Sequence, residues 1–476
     1  MKRDLTRREF LENVGKGAVC GAVGAGLAAG AHAEDAPGRK PNFLFILTDD
    51  QRYDAMGCAG NRLIHTPDLD ALTARGARFD RAFVTLSICS PSRATCLTGR
   101  YGSRNGVDRL GAALREGETT FARHLKAADY RTGFVGKWHL RDRPGDCGFD
   151  FATYFESNGP HYDRRVTTGR RKHVAKGYIE DYSAARAAEF MRAASDAAAP
   201  FVLWLCTQVP HMTPQFNWDA RDETLARYDA GKMPVPTTWR DDLSGKPPYL
   251  AEARSRTRAR TYGYDKAAGI RNHTRRYYAA ITDMDAALGH ALRALDRLGL
   301  RDSTYVIFLS DNGWFLGDHG LTSKFLPYEE SIRVPMIVAG PGVAPRVESR
   351  LVLNADVAPT MLELAGLAVP DRMHGRSLVP LLRGRRAAWR SSILYEAPAS
   401  VLDCRPLLAV RTERWKYVET FEGPQLRPDA TPAFEELYDL KADPAEMANL
   451  AARAEHARTR RRLADELRRL RRDLKV

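Results

Sequence analysis

The chain has 476 residues, 44% of them hydrophobic and 28% charged, with 73 Lys and Arg against 59 Asp and Glu and a formal charge of +14. That composition excludes a disordered, collagen-like or disulfide-scaffold protein and gives chain enough for a large α/β domain with an appendage. Apart from a weak Gly- and Ala-rich stretch near the N-terminus, no apolar run approaches the roughly 18 residues of a membrane-spanning helix, so the mature protein is expected to be soluble.

Residues 1–33 read in order as a charged head, a small-residue apolar middle from Ala18 to Ala31, and a small-x-small end at Ala31-His32-Ala33. This is a signal peptide pattern, and Thr6-Arg7-Arg8-Glu9-Phe10-Leu11 resembles the twin-arginine signal that exports folded proteins. Its removal takes five basic and three acidic residues, so the mature chain stays basic. It also takes Cys20. Cys58, Cys89, Cys96, Cys147, Cys206 and Cys404 remain, at spacings that mark neither a zinc site nor a redox motif.

Five short apolar runs read as buried strands: Asn42 to Leu47, Thr132 to Val135, Phe201 to Cys206, Thr304 to Leu309 and Pro335 to Val338. Helical patterns fall at 68–76, 119–128, 182–195, 277–298 and 358–366. Their alternation predicts a mostly parallel sheet covered by helices. The polar, Arg-rich stretch 212–272 is expected to be an excursion near a site entrance. It contains Arg254, Arg256, Arg258 and Arg260, with Arg275 and Arg276 just beyond. After about residue 375 the pattern changes to short strands at Ser392 to Leu394, Leu407 to Val410, Trp415 to Thr420 and Glu436 to Leu440, then an Arg-rich helix. The expected organisation is a signal at 1–33, a catalytic domain at 41–375, and a C-terminal antiparallel subdomain with its helix at 376–476. An exported basic surface suits anionic polysaccharide or membrane, and nucleic acid is not expected as a partner.

In open α/β sheets ligands bind beyond the carboxyl ends of the strands. The residues just after the first four runs are Asp49-Asp50, Lys137 with His139, His211, and Asp311-Asn312. Acids, amides, a lysine and histidines on one crest predict a metal-assisted hydrolytic site.

Cys89-Ser90-Pro91-Ser92-Arg93-Ala94-Thr95-Cys96-Leu97-Thr98-Gly99-Arg100 narrows the chemistry. It resembles the signature of the type I sulfatases, in which a C-x-P-x-R core followed by T-G marks a cysteine oxidised to formylglycine. The hydrated aldehyde has two hydroxyls on one carbon, so one can attack sulfur and the other can later expel sulfate. A first-turn position would offer such a group backbone N–H donors and the positive helix end, with Arg93 on the same helical face.

The resemblance runs from Pro41 to about Leu450 and implies an alkaline-phosphatase-like α/β fold. It implies Asp49, Asp50, Asp311 and Asn312, with the group at Cys89, as ligands of Ca²⁺, with Mg²⁺ as the alternative; hard oxygen donors fit both. It further implies Lys137 and Lys324 as contacts of sulfate, His139 as acceptor of the proton when sulfate is expelled, and His211 beside the bridging oxygen. Arg93, Lys137, Lys324 and the metal would neutralise the sulfuryl oxygens. His319 is left between facing substrate and ordering its loop. The Arg-rich tail beyond 451 is not explained by the resemblance.

Thr48-Asp49-Asp50-Gln51-Arg52 and Gly57 to Asn61 look more like sulfatases of sulfated sugars than like simple aryl sulfatases. The segment Glu156 to Arg165, followed by Arg170, Arg171 and Lys172, offers amide, aromatic and basic groups for a polyanionic glycan. The expected function is release of sulfate from a sulfated carbohydrate, in the periplasm or outside the cell. A formylglycine-generating enzyme and the twin-arginine machinery are implied partners. A phosphoester or phosphonate hydrolase of the same superfamily and a non-catalytic binder of sulfated polysaccharide are the alternatives.

Overall fold

The computed structural model describes residues 40–476; the signal-peptide reading lies outside them. The strands are β1 (Asn42–Thr48), β2 (Gly76–Phe83), β3 (Arg131–Lys137), β4 (Phe151–Phe155), β5 (Tyr162–Thr168), β6 (Arg171–Tyr178), β7 (Phe201–Cys206), β8 (Thr304–Ser310), β9 (Phe315–Leu316), β10 (Thr322–Ser323), β11 (Arg333–Ala339), β12 (Arg346–Glu348) and β13 (Val352–Leu353), then β14 (Ser392–Ala397), β15 (Leu407–Thr412), β16 (Trp415–Thr420) and β17 (Phe434–Asp439). The helices used below are α1 (Pro67–Thr73), α2 (Cys89–Thr98), α3 (Phe121–Ala127), α4 (Ile179–Asp196), α5 (Arg254–Thr261), α6 (Ala267–Arg297), α7 (Val357–Leu364) and α8 (Ala457–Leu474).

An eleven-stranded sheet runs in the order β12-β2-β11-β8-β1-β7-β3-β4-β5-β6, with β13 also on β2. Its centre, β8-β1-β7-β3-β4, is parallel. This is the expected mostly parallel sheet. β1 and β7 carry no exposed residue because helices cover both faces. Phe43, Phe45 and Trp204 pack on one side with α3 and α7 residues, while Leu44, Ile46 and Leu203 pack on the other with α4 and α6 residues. A parallel strand buried on both sides reads as an unbroken apolar run, which is why these were legible.

The antiparallel flanks depart from expectation. β11 runs against both β8 and β2. The stretch expected to be a glycan-binding loop is instead largely the hairpin β5–β6. Its buried Val166 and Ala175 form a small separate cluster with Phe155 and Ile179. Helix α6 starts ten residues before the expected 277, because its first turns pack Ile270 and Thr274 with little apolar periodicity around them.

The C-terminal part is a four-stranded antiparallel sheet, β14-β15-β16-β17, with α8 packed on it through Leu463 and Leu467. A buried ionic knot joins this sheet to the loop after Lys324. Lys416 of β16, with no exposed side-chain surface, pairs with Glu329 (3.0 Å) and Glu446 (2.7 Å) and donates to Pro327 O at 2.7 Å. Arg411 supports Glu329 at 3.3 Å. Breaking one partner of a buried pair strands the other charge. Lys416→Met is expected to destabilise the protein by about 3 kcal/mol, read as a lower urea midpoint at unchanged m-value.

Candidate active site

Each chemical side chain stands where a strand or helix delivers it. Asp311 N donates to Thr48 O at 2.9 Å, so the ends of β1 and β8 are fastened and Asp49, Asp50, Asp311 and Asn312 lie together. β3 delivers Lys137 and His139, and the β7 end leads to His211. α2 begins at Cys89 with extended Ile88 as its cap, and one turn later brings Arg93 to the same place. The backbone is strained around this crest. Asp50 (φ 66°), His139 (φ 56°), Ser323 (φ 73°) and Phe325 (φ 83°) occupy left-handed conformations, the last two flanking Lys324. Such positions cost about 1–3 kcal/mol each and persist where surrounding contacts hold them. Tyr277 Oη donates to Asp50 O (2.7 Å), and Tyr395 Oη donates to Phe325 O (2.8 Å). Gly136 (φ 105°) lets β3 pass β7, since a Cβ there would meet Cys206 O at 1.8 Å.

Cys89 Sγ lies 2.9 Å from Lys324 Nζ, 3.8 Å from Lys137 Nζ and 3.5 Å from Asp49 Oδ1. Burial, then the Asp49 charge, pushes the thiol up to about 12, so the unmodified cysteine is no thiolate nucleophile. Lys137 pairs with Asp49 and donates to Asn158 Oδ1, while Lys324 pairs with Asp50. Arg93, fully buried, donates to Asp311 Oδ2 through Nε (3.1 Å) and Nη2 (2.9 Å), to Asp49 Oδ2 (2.9 Å) and to Lys137 O (2.6 Å). Its guanidinium is thus spent on the carboxylates and does not line the open pocket. Burial opposes charge on Asp49, yet Lys137, Arg93 and Lys324 hold it well below the usual carboxylate range. Asp50 and Asp311 are pushed the other way, by burial and by repulsion from Asp49.

That crowding fits a cation. Asp50 Oδ2 and Asn312 Oδ1 are buried acceptors with no hydrogen-bond partner among the described residues. Ligating atoms of Asp49, Asp50, Cys89 and His211 fall within 4.8 Å of one another, while Asp311 Oδ1 accepts from Asp50 N at 3.2 Å and Asn312 Nδ2 donates to Asp50 Oδ1. His211 was not among the expected ligands, and its Nε2 is already engaged by Asn158 Nδ2 at 2.9 Å. The donors left over are oxygens, which suit Ca²⁺ or Mg²⁺.

The histidines are both neutral. Burial, then Lys137, lowers His139 to about 2 and holds His211 well below its usual range. His139 Nδ1 has no partner and is available as an acceptor. His211 Nδ1 lies 2.8 Å from Met212 O, which places the proton on Nδ1 and makes Nε2 the acceptor. Asn158 therefore bridges Lys137 and His211, a positioning role hidden in the sequence because the expected loop assigned its amide to glycan. His161 donates upward to His211 O (3.0 Å), and Arg164 holds Ser157 O while stacked on Phe155.

Glu180, at the start of α4, accepts from Gln208 N (2.8 Å) and Val209 N (3.0 Å) and so fixes the turn leading to His211. Its Oε2 is buried without a partner, and burial raises the carboxyl to about 7. The folded state therefore holds a proton that the unfolded chain releases above about 4.5, and stability falls as pH rises from there to about 7, by up to roughly 3 kcal/mol. Glu180→Gln removes this contribution to the slope. Melting temperatures of variant and wild type should separate in favour of the variant between pH 5 and pH 8.

The pocket above the crest measures about 210 Å³ and is lined by Cys89, His139, Asn158, His211, Trp314 and Lys324 at its base. Met212, Thr213, Pro214 and Phe216, with Arg258 and Tyr262, bring the 212–272 excursion to its mouth. His319 is on neither surface. It is fully buried, its Nδ1 lies 2.8 Å from Asp241 Oδ2 and its carbonyl accepts from Arg256, so it orders its loop. The six described cysteines are all free thiols.

Known proteins share this fold. The chain matches the sulfatase family over residues 41–367 and the C-terminal region of N-sulphoglucosamine sulphohydrolase over 317–473. The second match reaches through α8, so the Arg-rich tail is family structure after all. An N-acetylglucosamine-6-O-sulfatase of Bacteroides thetaiotaomicron is 28% identical, covering 92% of this chain and 87% of its own length. A solved structure in complex with its substrate D-glucosamine-2-N,6-O-disulfate superposes with a TM-score of 0.83 at 27% identity, covering 92% of this chain and 98% of that one. The phosphonate monoester hydrolase of Agrobacterium radiobacter shares the fold (TM-score 0.73, 24% identity, 91% of this chain, 96% of that one).

Proposed function

The chain belongs to the sulfatase family, and from that premise we propose that it releases sulfate from a glycosaminoglycan-type glycan, using formylglycine made from Cys89 and a divalent cation, Ca²⁺ or Mg²⁺. The observation that carries the reading is Cys89 Sγ held between the ammonium groups of Lys324 and Lys137 beside Asp49. The sugar-sulfate specificity of the N-acetylglucosamine-6-O-sulfatase and of the disulfate complex supports the substrate class.

Asp49, Asp50, Asp311 and Asn312 would hold the cation and position 89 the aldehyde hydrate; together these supply the nucleophilic oxygen and a positive centre for the sulfuryl oxygens. The chain's own residues do the rest. Lys137 and Lys324 carry charge toward the sulfate oxygens, in a site where burial strengthens each interaction. Lys324, kept protonated by Asp50 against the effect of burial, is the group with an N–H to offer the leaving alcohol. His211 is neutral with Nε2 accepting, so it receives hydrogen bonds and does not supply that proton. His139, neutral and unpartnered at Nδ1, takes the proton that sulfate expulsion releases. Asn158 keeps Lys137 and His211 in register. Arg93 balances Asp49 and Asp311.

The same cationic site would take a phosphoryl group, and the fold shared with a phosphonate hydrolase makes that the second reading. The Arg7-Arg8 signal supports export by the twin-arginine route to the periplasm or beyond, with oxidation of Cys89 by a cytoplasmic formylglycine-generating enzyme before folding. The test has two arms. Mass spectrometry of the fragment Ala82 to Arg93 from the native host should find aldehyde or its hydrate at position 89. Sulfate release from glucosamine 6-sulfate should exceed phosphate release from glucosamine 6-phosphate; the reverse order, or thiol alone at 89, overturns the reading.

A further inference from the structure

Three exposed apolar side chains from three separate loops, Leu110 (42% exposed), Phe216 (44%) and Leu402 (37%), ring the mouth of the active-site pocket. Exposed apolar groups gathered at a pocket rim mark contact with a ligand. Phe216 carries the further sign of strain, since its φ of 60° is unfavourable for an aromatic residue. The turn Thr213 to Asn217 holds it there, with Thr213 N on Asn217 O (2.8 Å) and Phe216 N on Thr213 O (2.9 Å). The ring is 44% exposed, so it is held at the pocket mouth and not drawn into a core.

Two residues of the α5 end complete the surface. Tyr262 lies 5.6 Å from the Phe216 ring, centroid to centroid, and the Arg258 guanidinium sits 5.0 Å above the same ring. Arg258 and Tyr262 are four residues apart and so share one helix face. Neighbouring Arg256 is occupied by His319 O and Asp241 O. The Arg258 side chain makes no hydrogen bond or ion pair among the described residues, although it lines the pocket. A guanidinium placed over an aromatic ring still has N–H groups free for a planar or tetrahedral anion.

We propose that Arg258 receives a second anionic substituent on the sugar whose sulfate ester is cleaved, while Phe216 and Tyr262 take the apolar face of that ring. This rests on the sugar-sulfate reading above and adds that the preferred substrate is doubly charged. The surface makes Arg258 a specificity-determining residue, separate from the groups around Cys89.

The matched probes are glucosamine-2-N,6-O-disulfate and glucosamine 6-sulfate. Wild type should favour the disulfate by about tenfold or more in kcat/KM, and the preference should shrink as NaCl rises from about 0.05 M to about 0.5 M. Arg258→Gln should bring the ratio of the two substrates to within about twofold, Arg258→Lys should restore part of it, and Phe216→Ala should weaken both substrates alike. Unchanged melting temperatures would certify the folds. Equal use of the two sugars by wild type, or an unaltered preference in Arg258→Gln, overturns this inference and leaves the sugar-sulfate reading standing. Turnover of 4-nitrophenyl sulfate or phenylphosphonate with neither sugar cleaved would instead overturn that reading, and this inference with it.

Discussion

Cys89→Ala should lower sulfate release by about 10⁴-fold or more while leaving the melting temperature nearly unchanged. The side chain is small and lines the base of the pocket, so its loss removes little packing, and the surrounding pairs Lys324–Asp50, Lys137–Asp49 and Arg93–Asp311 all remain. Removal of the reacting atom with the electrostatic frame intact separates chemistry from fold. Cys89→Ser sharpens the test. A serine hydroxyl at 89 has the lysines and acids needed to attack sulfur once, but its ester has no second hydroxyl with which to expel sulfate. A single turnover followed by a stable mass increase on the Ala82 to Arg93 fragment is expected. Continued turnover by the serine variant, or more than about 1% activity in the alanine variant, would show that position 89 is not the nucleophile.

The elements that could be read from sequence were those whose burial leaves one signature. β1, β7 and β8 are enclosed on both faces, so their apolar runs ended within one residue of where the structure ends them, and the acids and histidines just beyond fell on one crest. The same logic hid the edges. β2 carries Arg78, Asp80 and Arg81 among its apolar residues because one face is partly open, and the β5–β6 hairpin exposes most of its side chains. Neither shows a continuous run, and the hairpin's Arg165, Arg171 and Lys172 stand in solvent.

Within the site, residue types were legible and partnerships were not. Arg93 follows Cys89 by one helical turn, which predicts a shared face but not which charge the guanidinium meets. The fold brings Asp49 and Asp311 to it from strands about 260 residues apart in sequence, and those contacts turn it inward. Asn158 shows the same thing from the other side: a loop amide without a motif becomes the bridge between Lys137 and His211 because β4 ends beside β3. Glu180 and the Tyr395 contact on the Lys324 loop likewise act through backbone groups, which no residue pattern marks.

Arg93→Met is expected to lose both stability and activity, and the manner of loss tests the charge balance of the crest. Arg93, Lys137 and Lys324 face Asp49, Asp50 and Asp311. Without the guanidinium, three buried carboxylates meet two ammonium groups and Lys137 O loses its donor, a loss of about 3–5 kcal/mol. Two responses could offset it. Asp311, already pushed up by burial and by Asp49, can take a proton, so the gap between variant and wild type should narrow toward pH 5 and widen toward pH 8. A divalent cation can supply the missing charge, so saturating Ca²⁺ should raise the melting temperature of the variant more than that of wild type. Sulfate release should fall by about 10²–10³-fold even with Ca²⁺ present, because Asp49 and Lys137 would no longer be held in place. Arg93→Lys restores one charge but not the fork that reaches both carboxylates and a carbonyl, and should recover only part of the stability. A variant that melts with wild type at pH 8 in the absence of divalent cations would mean that the carboxylates do not carry the charges this balance assigns to them.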